Sequence, residues 1–195
     1  NQAGAFLRTR SDIDRPDIQF HFAALSADLP GAPLHDFPGF TASVCQLRPT
    51  SRGYLSIKSA DPMARPEIPP GYLSTEHDRR TVVDALRVAR RIAEKPALSQ
   101  YIETEYLPGE QVQSDVALLE FACDTGVTIF HPSGTCRMGS DDAAVVDSAL
   151  KVRGVLSLRG VDCSIMPTLV SGNTHAPAVM IAEKASDLIL AEAKS

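Results

Sequence analysis

The sequence predicts an α+β fold, a mainly antiparallel sheet with helices on one face. Three observations predict it. The N-terminal third alternates apolar and polar residues at the period of strands. A long amphipathic helix follows a proline-rich stretch. A second helix closes the chain, after a region of short apolar runs punctuated by glycine.

Taken in order, residues 4–9 and 17–25 read as strands. In the second, Ile18, Phe20 and Phe22 share one face, and Gln19 and His21 share the other. Pro30, Pro33 and Pro38, with Gly31 and Gly39, mark a loop. Residues 40–47 and 54–59 read as a strand pair joined across residues 48–53. Pro62, Pro66, Pro69 and Pro70 make the following stretch irregular and extended. Thr75 and Asp78 have capping-box spacing for a helix that Pro96 stops. Its predicted inward stripe is Val82, Leu86, Ala89 and Ala93, widened by Ala85 and Ile92. Arg79, Arg80, Arg87, Arg90 and Arg91 form the other face, read as solvated. Residues 96–101 and 114–123 read as shorter helices, the latter with Val116, Leu119 and Ala122 or Cys123 inward. Short strands are expected at 145–147, 150–152 and 155–161, turned at Gly154. The last helix is expected from Pro177 to Ala193, with proline in its first turn.

Composition excludes several function classes. The 195 residues are 44% hydrophobic and 22% charged, a globular balance. A net charge of −5 argues against nucleic acid as a partner. No apolar run approaches the roughly 18 residues of a membrane span. Cys45, Cys123, Cys136 and Cys163 form no C-x-x-C pair, which points to a reducing, cytoplasmic setting. The chain opens on Asn1 without a basic-then-apolar leader and reads like the middle of a longer protein. No two glycines are separated by one residue, so a G-x-G-x-x-G turn is impossible here. A G-x-x-x-x-G-K-[ST] loop and a G-x-S-x-G elbow are also absent.

Two segments carry chemical information. The first is His131-Pro132-Ser133-Gly134-Thr135-Cys136-Arg137-Met138-Gly139, one histidine among small residues and turn formers. Such a loop leaves room for a ligand beside an imidazole. It is also what a histidine satisfied within a turn looks like. A zinc site from Cys123, His131 and Cys136 has unsuitable spacing, so no metal is expected. The second segment runs from Leu158 through Pro167 to Ser171-Gly172-Asn173-Thr174-His175-Ala176-Pro177. It leads into the N-terminus of the last helix, where free N–H groups favour an electron-rich partner. Ordinary capping by Asn173 or Thr174 is the competing reading.

Together the segments resemble the glucose–methanol–choline family of flavin oxidoreductases. The loop 131–139 resembles that family's histidine loop. Val161-Asp162-Cys163-Ser164-Ile165-Met166-Pro167, Gly172-Asn173-Thr174 and the helix stretch from Met180 to Ile189 resemble its C-terminal signature. Arg52-Gly53-Tyr54-Leu55-Ser56-Ile57 and Tyr72-Leu73-Ser74-Thr75 resemble its substrate domain. The resemblance covers essentially the whole chain, and the choline-dehydrogenase-like branch is nearest. It implies that residues 1–140 are the substrate-binding domain. Residues 141–195 would then be a strand–helix return that completes the FAD-binding domain. The N-terminal FAD-binding portion, with its glycine-rich turn, would lie outside this sequence, so this chain alone should not hold FAD.

The resemblance also implies roles. His131 would take the hydroxyl proton of a small-molecule alcohol while hydride passes to flavin N5, and Asn173 would contact the same hydroxyl. His175, two residues on, is the rival for that second position. Asp162, Cys163, Thr174, His175 and Ala176 would lie against FAD. Arg137 and Met138 would be structural, and Phe130 would face substrate. The implied activity is FAD-dependent alcohol oxidation, with oxygen or a quinone-type acceptor reoxidising the flavin, the latter bringing the enzyme to a membrane. A hydroxynitrile lyase of the same family and a non-catalytic fragment are the alternatives. Choline itself fits poorly, because a quaternary ammonium favours aromatic faces and the chain has no Trp.

Overall fold

A computed structural model describes residues 2–29 and 31–194. Asn1 and Pro30, both used in reading the sequence, lie outside the described residues. The architecture is α+β, with a small antiparallel sheet and helices. The elements are β1 (Ala3–Leu7), β2 (Ile18–Ala23), β3 (Thr41–Gln46), α1 (Glu76–Ala93), α2 (Pro96–Ser99), α3 (Asp115–Thr125) and α4 (His175–Glu192), with a 3₁₀ turn at Cys163–Ile165. By packing, the chain divides into two units. One is Asn1–Ser51 with Tyr72–Val127; the other is Arg52–Gly71 with Thr128–Ser195.

In the first unit β2 lies between β1 and β3, antiparallel to both. Pairing of Leu7 with Ile18, Ala5 with Phe20, and Phe20 with Val44 collects the apolar side chains on one face. Ile18 and Phe20 are fully buried there against Ala85 and Val88 of α1. The predicted face of β2 is therefore the core face, although Gln19 on the other side is also buried.

Helix α1 has the expected extent but a rotated buried face. Asp78, Thr81, Val83, Ala85 and Val88 are buried, whereas Val82 and Leu86 are only half-buried. The cause is Asp78. Thr75 Oγ1 caps Asp78 N–H at 3.3 Å, as the capping spacing requires. The Asp78 carboxylate does not complete the box. Oδ1 accepts from Gln46 Nε2 (2.9 Å), Thr50 N (2.9 Å) and Thr50 Oγ1 (3.0 Å), and Oδ2 accepts from Ser51 N (2.8 Å). Burial pushes its pKa up, but the hydrogen bonds from Ser51, Thr50 and Gln46 outweigh that and hold it well below the usual carboxylate range.

This network explains a correction. The 54–59 strand does not form a pair with β3. The Thr50 and Ser51 N–H groups that would serve a hairpin go to Asp78 instead. Residues 54–59 turn instead to the proline-rich stretch, through a single bridge between Ser56 and Glu67. Pro66, Pro69 and Pro70 have no N–H to extend that ladder. At the base of this arm a Cβ on Gly53 would lie 2.1 Å from Pro69 O, and Gly71 has φ +67. Both positions need glycine.

Asp78→Ala is expected to destabilise the protein by about 1.5–3 kcal/mol, the range for hydrogen bonds to a charged group. The part-buried backbone donors of Thr50 and Ser51 would lose their acceptor. Because the folded pKa is depressed, the contribution is full above the ordinary carboxylate pKa of about 3.9. It is lost as pH falls through the folded-state value. Thermal unfolding of wild type and variant between neutral and acid pH checks both statements.

The arginine face is only partly solvated. Arg90 grips Glu105 (2.9 Å) and the carbonyls of Val112 (2.7 Å) and Gly109 (3.1 Å), tying down the α2–α3 connection. Arg87 pairs with Asp115, and Arg79 donates to Leu73 O. Helix α3 buries Leu118 and Ala122, while Val116 is exposed. The run from Val116 to Cys123 is apolar almost all round, so its periodicity does not select a face.

In the second unit the expected strands at 145–147, 150–152 and 155–161 reduce to isolated bridges, Val146 with Val152 and Lys151 with Arg159. Positive φ at Leu150 and Ser157 interrupts a continuous ladder, while Gly154 makes the expected turn. Val146, Leu150, Ile165 and Met166 pack against Ile181 and Ala185 of α4. Helix α4 begins at His175, two residues before the expected start. Val179, Met180, Ile189 and Leu190 remain on its exposed side. No helix among the described residues is long and apolar enough to cross a membrane.

Candidate active site

The histidine loop is held by backbone bonds from alternate residues. Gly134 N, Cys136 N and Met138 N donate to the carbonyls of Cys163 (3.4 Å), Ser164 (3.0 Å) and Ile165 (2.7 Å). The loop therefore runs alongside the 3₁₀ turn that precedes α4. Gly134 sits at φ +87 within that approach. Met138 packs against the core cluster, and Arg137 pairs with Asp141 in the same loop, lowering the Asp141 pKa to about 2 through that hydrogen bond. These are the structural roles expected of both.

This clamp brings the ring of His131 to the start of α4. Asn173 Nδ2 lies 3.0 Å from His131 Nε2, and Thr174 Oγ1 lies 2.7 Å from His131 Nδ1. An amide nitrogen donates and accepts nothing, so Nε2 is the accepting nitrogen. Nδ1 then carries the proton and donates to the Thr174 hydroxyl. The ring is half-buried, Thr174 is 7% exposed, and Asn173 is exposed. A basic lone pair is thus presented next to a polar amide, at the rim of the unit. Such a pair can accept a proton from a hydroxyl group and steady the oxygen left behind.

The structure brings together His131, Asn173 and Thr174, residues 42 and 43 positions apart in sequence. His175, the rival to Asn173, is exposed in the first turn of α4 beside Ala176. Thr174 makes no side-chain cap bond to that turn, and Pro177 in it has no N–H. The first N–H groups of a helix have no carbonyl partner within it, and together with the helix's positive end they suit an electron-rich group. Asp162 caps the 3₁₀ turn, its Oδ1 accepting from Ser164 N at 2.7 Å, and that bond lowers its pKa. Cys163 directs its thiol at Thr174 O, 3.8 Å away. Among the described residues no group of three or more His, Cys, Asp or Glu is placed to hold a metal.

The contact of Thr174 with the ring escaped the sequence. Thr174 occupies the N-cap position of α4, yet makes no side-chain cap bond, because its hydroxyl faces His131. Nothing local distinguishes such a threonine from a cap. Phe130 is 80% exposed with φ +62, an uncommon conformation for a bulky residue, directly before the histidine.

The GMC oxidoreductase family model matches residues 49–182. The chain is 42% identical to an alcohol dehydrogenase [acceptor] of Pseudomonas putida over 189 residues, 97% of this chain and 34% of the relative. It is 42% identical to an oxygen-dependent choline dehydrogenase of Acinetobacter baumannii, with 96% and 34% covered. Among solved structures it superposes on pyridoxine 4-oxidase from Mesorbium loti with a TM-score of 0.84 at 33% identity, covering 94% of this chain and 36% of that one. Formate oxidase of Aspergillus oryzae gives 0.85 at 27% identity, with 94% and 33% covered. The chain thus spans about a third of the length of the relatives it matches.

Proposed function

The chain belongs to the GMC oxidoreductase family, and we propose on that basis that it is the C-terminal part of an FAD-dependent alcohol dehydrogenase or oxidase. The observation that supports this reading is the His131 ring, with its accepting Nε2 3.0 Å from the Asn173 amide. Residues 1–140 are then the substrate-binding domain, and residues 141–195 return to the FAD-binding domain. The loop carrying His131 joins the start of α4 where these two parts of the sequence meet. The preceding FAD-binding portion supplies the glycine-rich phosphate turn that this sequence lacks.

His131 accepts the hydroxyl proton of a small-molecule alcohol at Nε2, and Asn173 donates to the oxygen as it gains charge. When bound, FAD supplies the two-electron chemistry, taking the hydride from the alcohol carbon. The start of α4 fits such a group. The N–H groups of His175 and Ala176, with the helix's positive end behind them, favour negative charge placed beside them. Cys163 and Thr174 meet beside that turn, and Asp162 caps the 3₁₀ turn next to Cys163. An electron acceptor, oxygen or a quinone-type carrier, then restores the enzyme.

The test is anaerobic mixing of the complete flavoprotein with a panel of small primary alcohols. Bleaching of the flavin's visible absorption is expected, slower with an alcohol deuterated at the carbinol carbon. Flavin that stays oxidised with every alcohol, although bound, overturns the reading.

A further inference from the structure

We propose that Thr174 is a positioning residue for His131: its hydroxyl accepts Nδ1–H and holds the ring with Nε2 turned to the substrate side. The proposal rests on the reading of His131 as the base. Four observations carry it. The Oγ1–Nδ1 separation is 2.7 Å, the shorter of the two contacts to the ring. Thr174 is 7% exposed, unlike its neighbours Asn173 and His175, so water competes little for the bond. The hydroxyl does not cap α4, although the residue stands at the cap position. The threonine backbone is itself fixed, because its carbonyl accepts from Ala178 N at 2.9 Å and faces the Cys163 thiol at 3.8 Å.

The chemistry explains why a hydroxyl suits this place. An imidazole can rotate about its bond to Cβ, and a flipped ring presents carbon where Nε2 should be. An acceptor at Nδ1 selects both the tautomer and the orientation. A β-branched side chain on a helix start has few rotamers, so the acceptor is itself well placed. A carboxylate there would stabilise the imidazolium more than a neutral hydroxyl does. A neutral hydroxyl orients the ring without that added stabilisation. When the substrate proton arrives at Nε2, the ring carries two N–H groups, and Nδ1–H still donates to Thr174.

Thr174→Val and Thr174→Ala, each in the complete flavoprotein, remove the acceptor. Turnover is expected to fall about 10–100-fold, the scale of losing a histidine's orienting partner. KM should change little, and the acid-side limb of the pH–rate profile should move to lower pH, because the acceptor favours the imidazolium. Thr174→Ser keeps the hydroxyl and is expected to restore both the rate and the profile. Retained flavin absorption shows that each variant is loaded; where Val fails to load, the Ala and Ser pair decides. A normal rate and an unmoved limb in a loaded Val or Ala variant overturn the proposal. His131→Ala, run beside them, separates the two failures. If His131→Ala is crippled and the hydroxyl-free variants are normal, only the positioning role is wrong. If His131→Ala is itself normal, the base reading fails first.

Discussion

His131→Ala in the complete flavoprotein is expected to lower kcat by at least about 100-fold, the lower end of a general base's contribution. Substrate affinity should suffer less, because the imidazole acts on charge that develops during transfer. The wild-type rate should rise with pH on its acid side. The sign follows from the tautomer. Nε2 accepts only while it is unprotonated, so acid removes the base and the rate falls. The variant should lose this limb. A histidine that merely fills a turn predicts something else: lost thermal stability, normal turnover in the folded fraction, and an intact limb. The structure gives such a role little to do, because the loop is already held by the bonds of Gly134, Cys136 and Met138 to residues 163–165. Steady-state rates across pH, on flavin-loaded protein, decide between the two.

Much of this arrangement was legible in the sequence, and the part that was not has a common cause. β1, β2 and β3 and the inward face of β2 follow from strict alternation, which one buried sheet face enforces. The first long helix follows from the cap at Thr75 and the stop at Pro96. What failed was settled by side-chain bonds between distant residues. Asp78 rotates the buried face of α1 by taking the Thr50 and Ser51 donors, and the same bonds cancel the hairpin expected at 48–53. Arg90 is drawn from solvent by two carbonyls around 20 residues away. Thr174 reads as a cap from its neighbours alone, and becomes a ring acceptor only because the loop clamp delivers His131 to it. Local pattern reports what a segment prefers, and each of these residues has a partner that lies outside any local window.

Asn173→Ala is expected to reduce kcat about 10–1000-fold, the range for removing one donor aimed at developing negative charge. FAD should stay bound, since the amide group contacts the ring of His131, and the backbone donors at the start of α4 remain in the variant. Before substrate arrives, the Asn173 amide donates to Nε2 at 3.0 Å. A substrate hydroxyl must enter between them, giving its proton to the nitrogen and taking the amide's hydrogen bond on its oxygen. The exchange leaves the amide with an acceptor before and after, but the 3.0 Å contact must open to admit the oxygen. Asn173→Asp tests the charge requirement separately. A carboxylate beside Nε2 would favour the imidazolium, and the pH limb should move to higher pH with a lower rate at neutrality. His175→Ala supplies the control, for it alters the neighbouring exposed side chain while leaving the backbone donors in place. A crippled His175→Ala together with a silent Asn173→Ala would move the second polar contact two residues along the chain and require a different substrate pose.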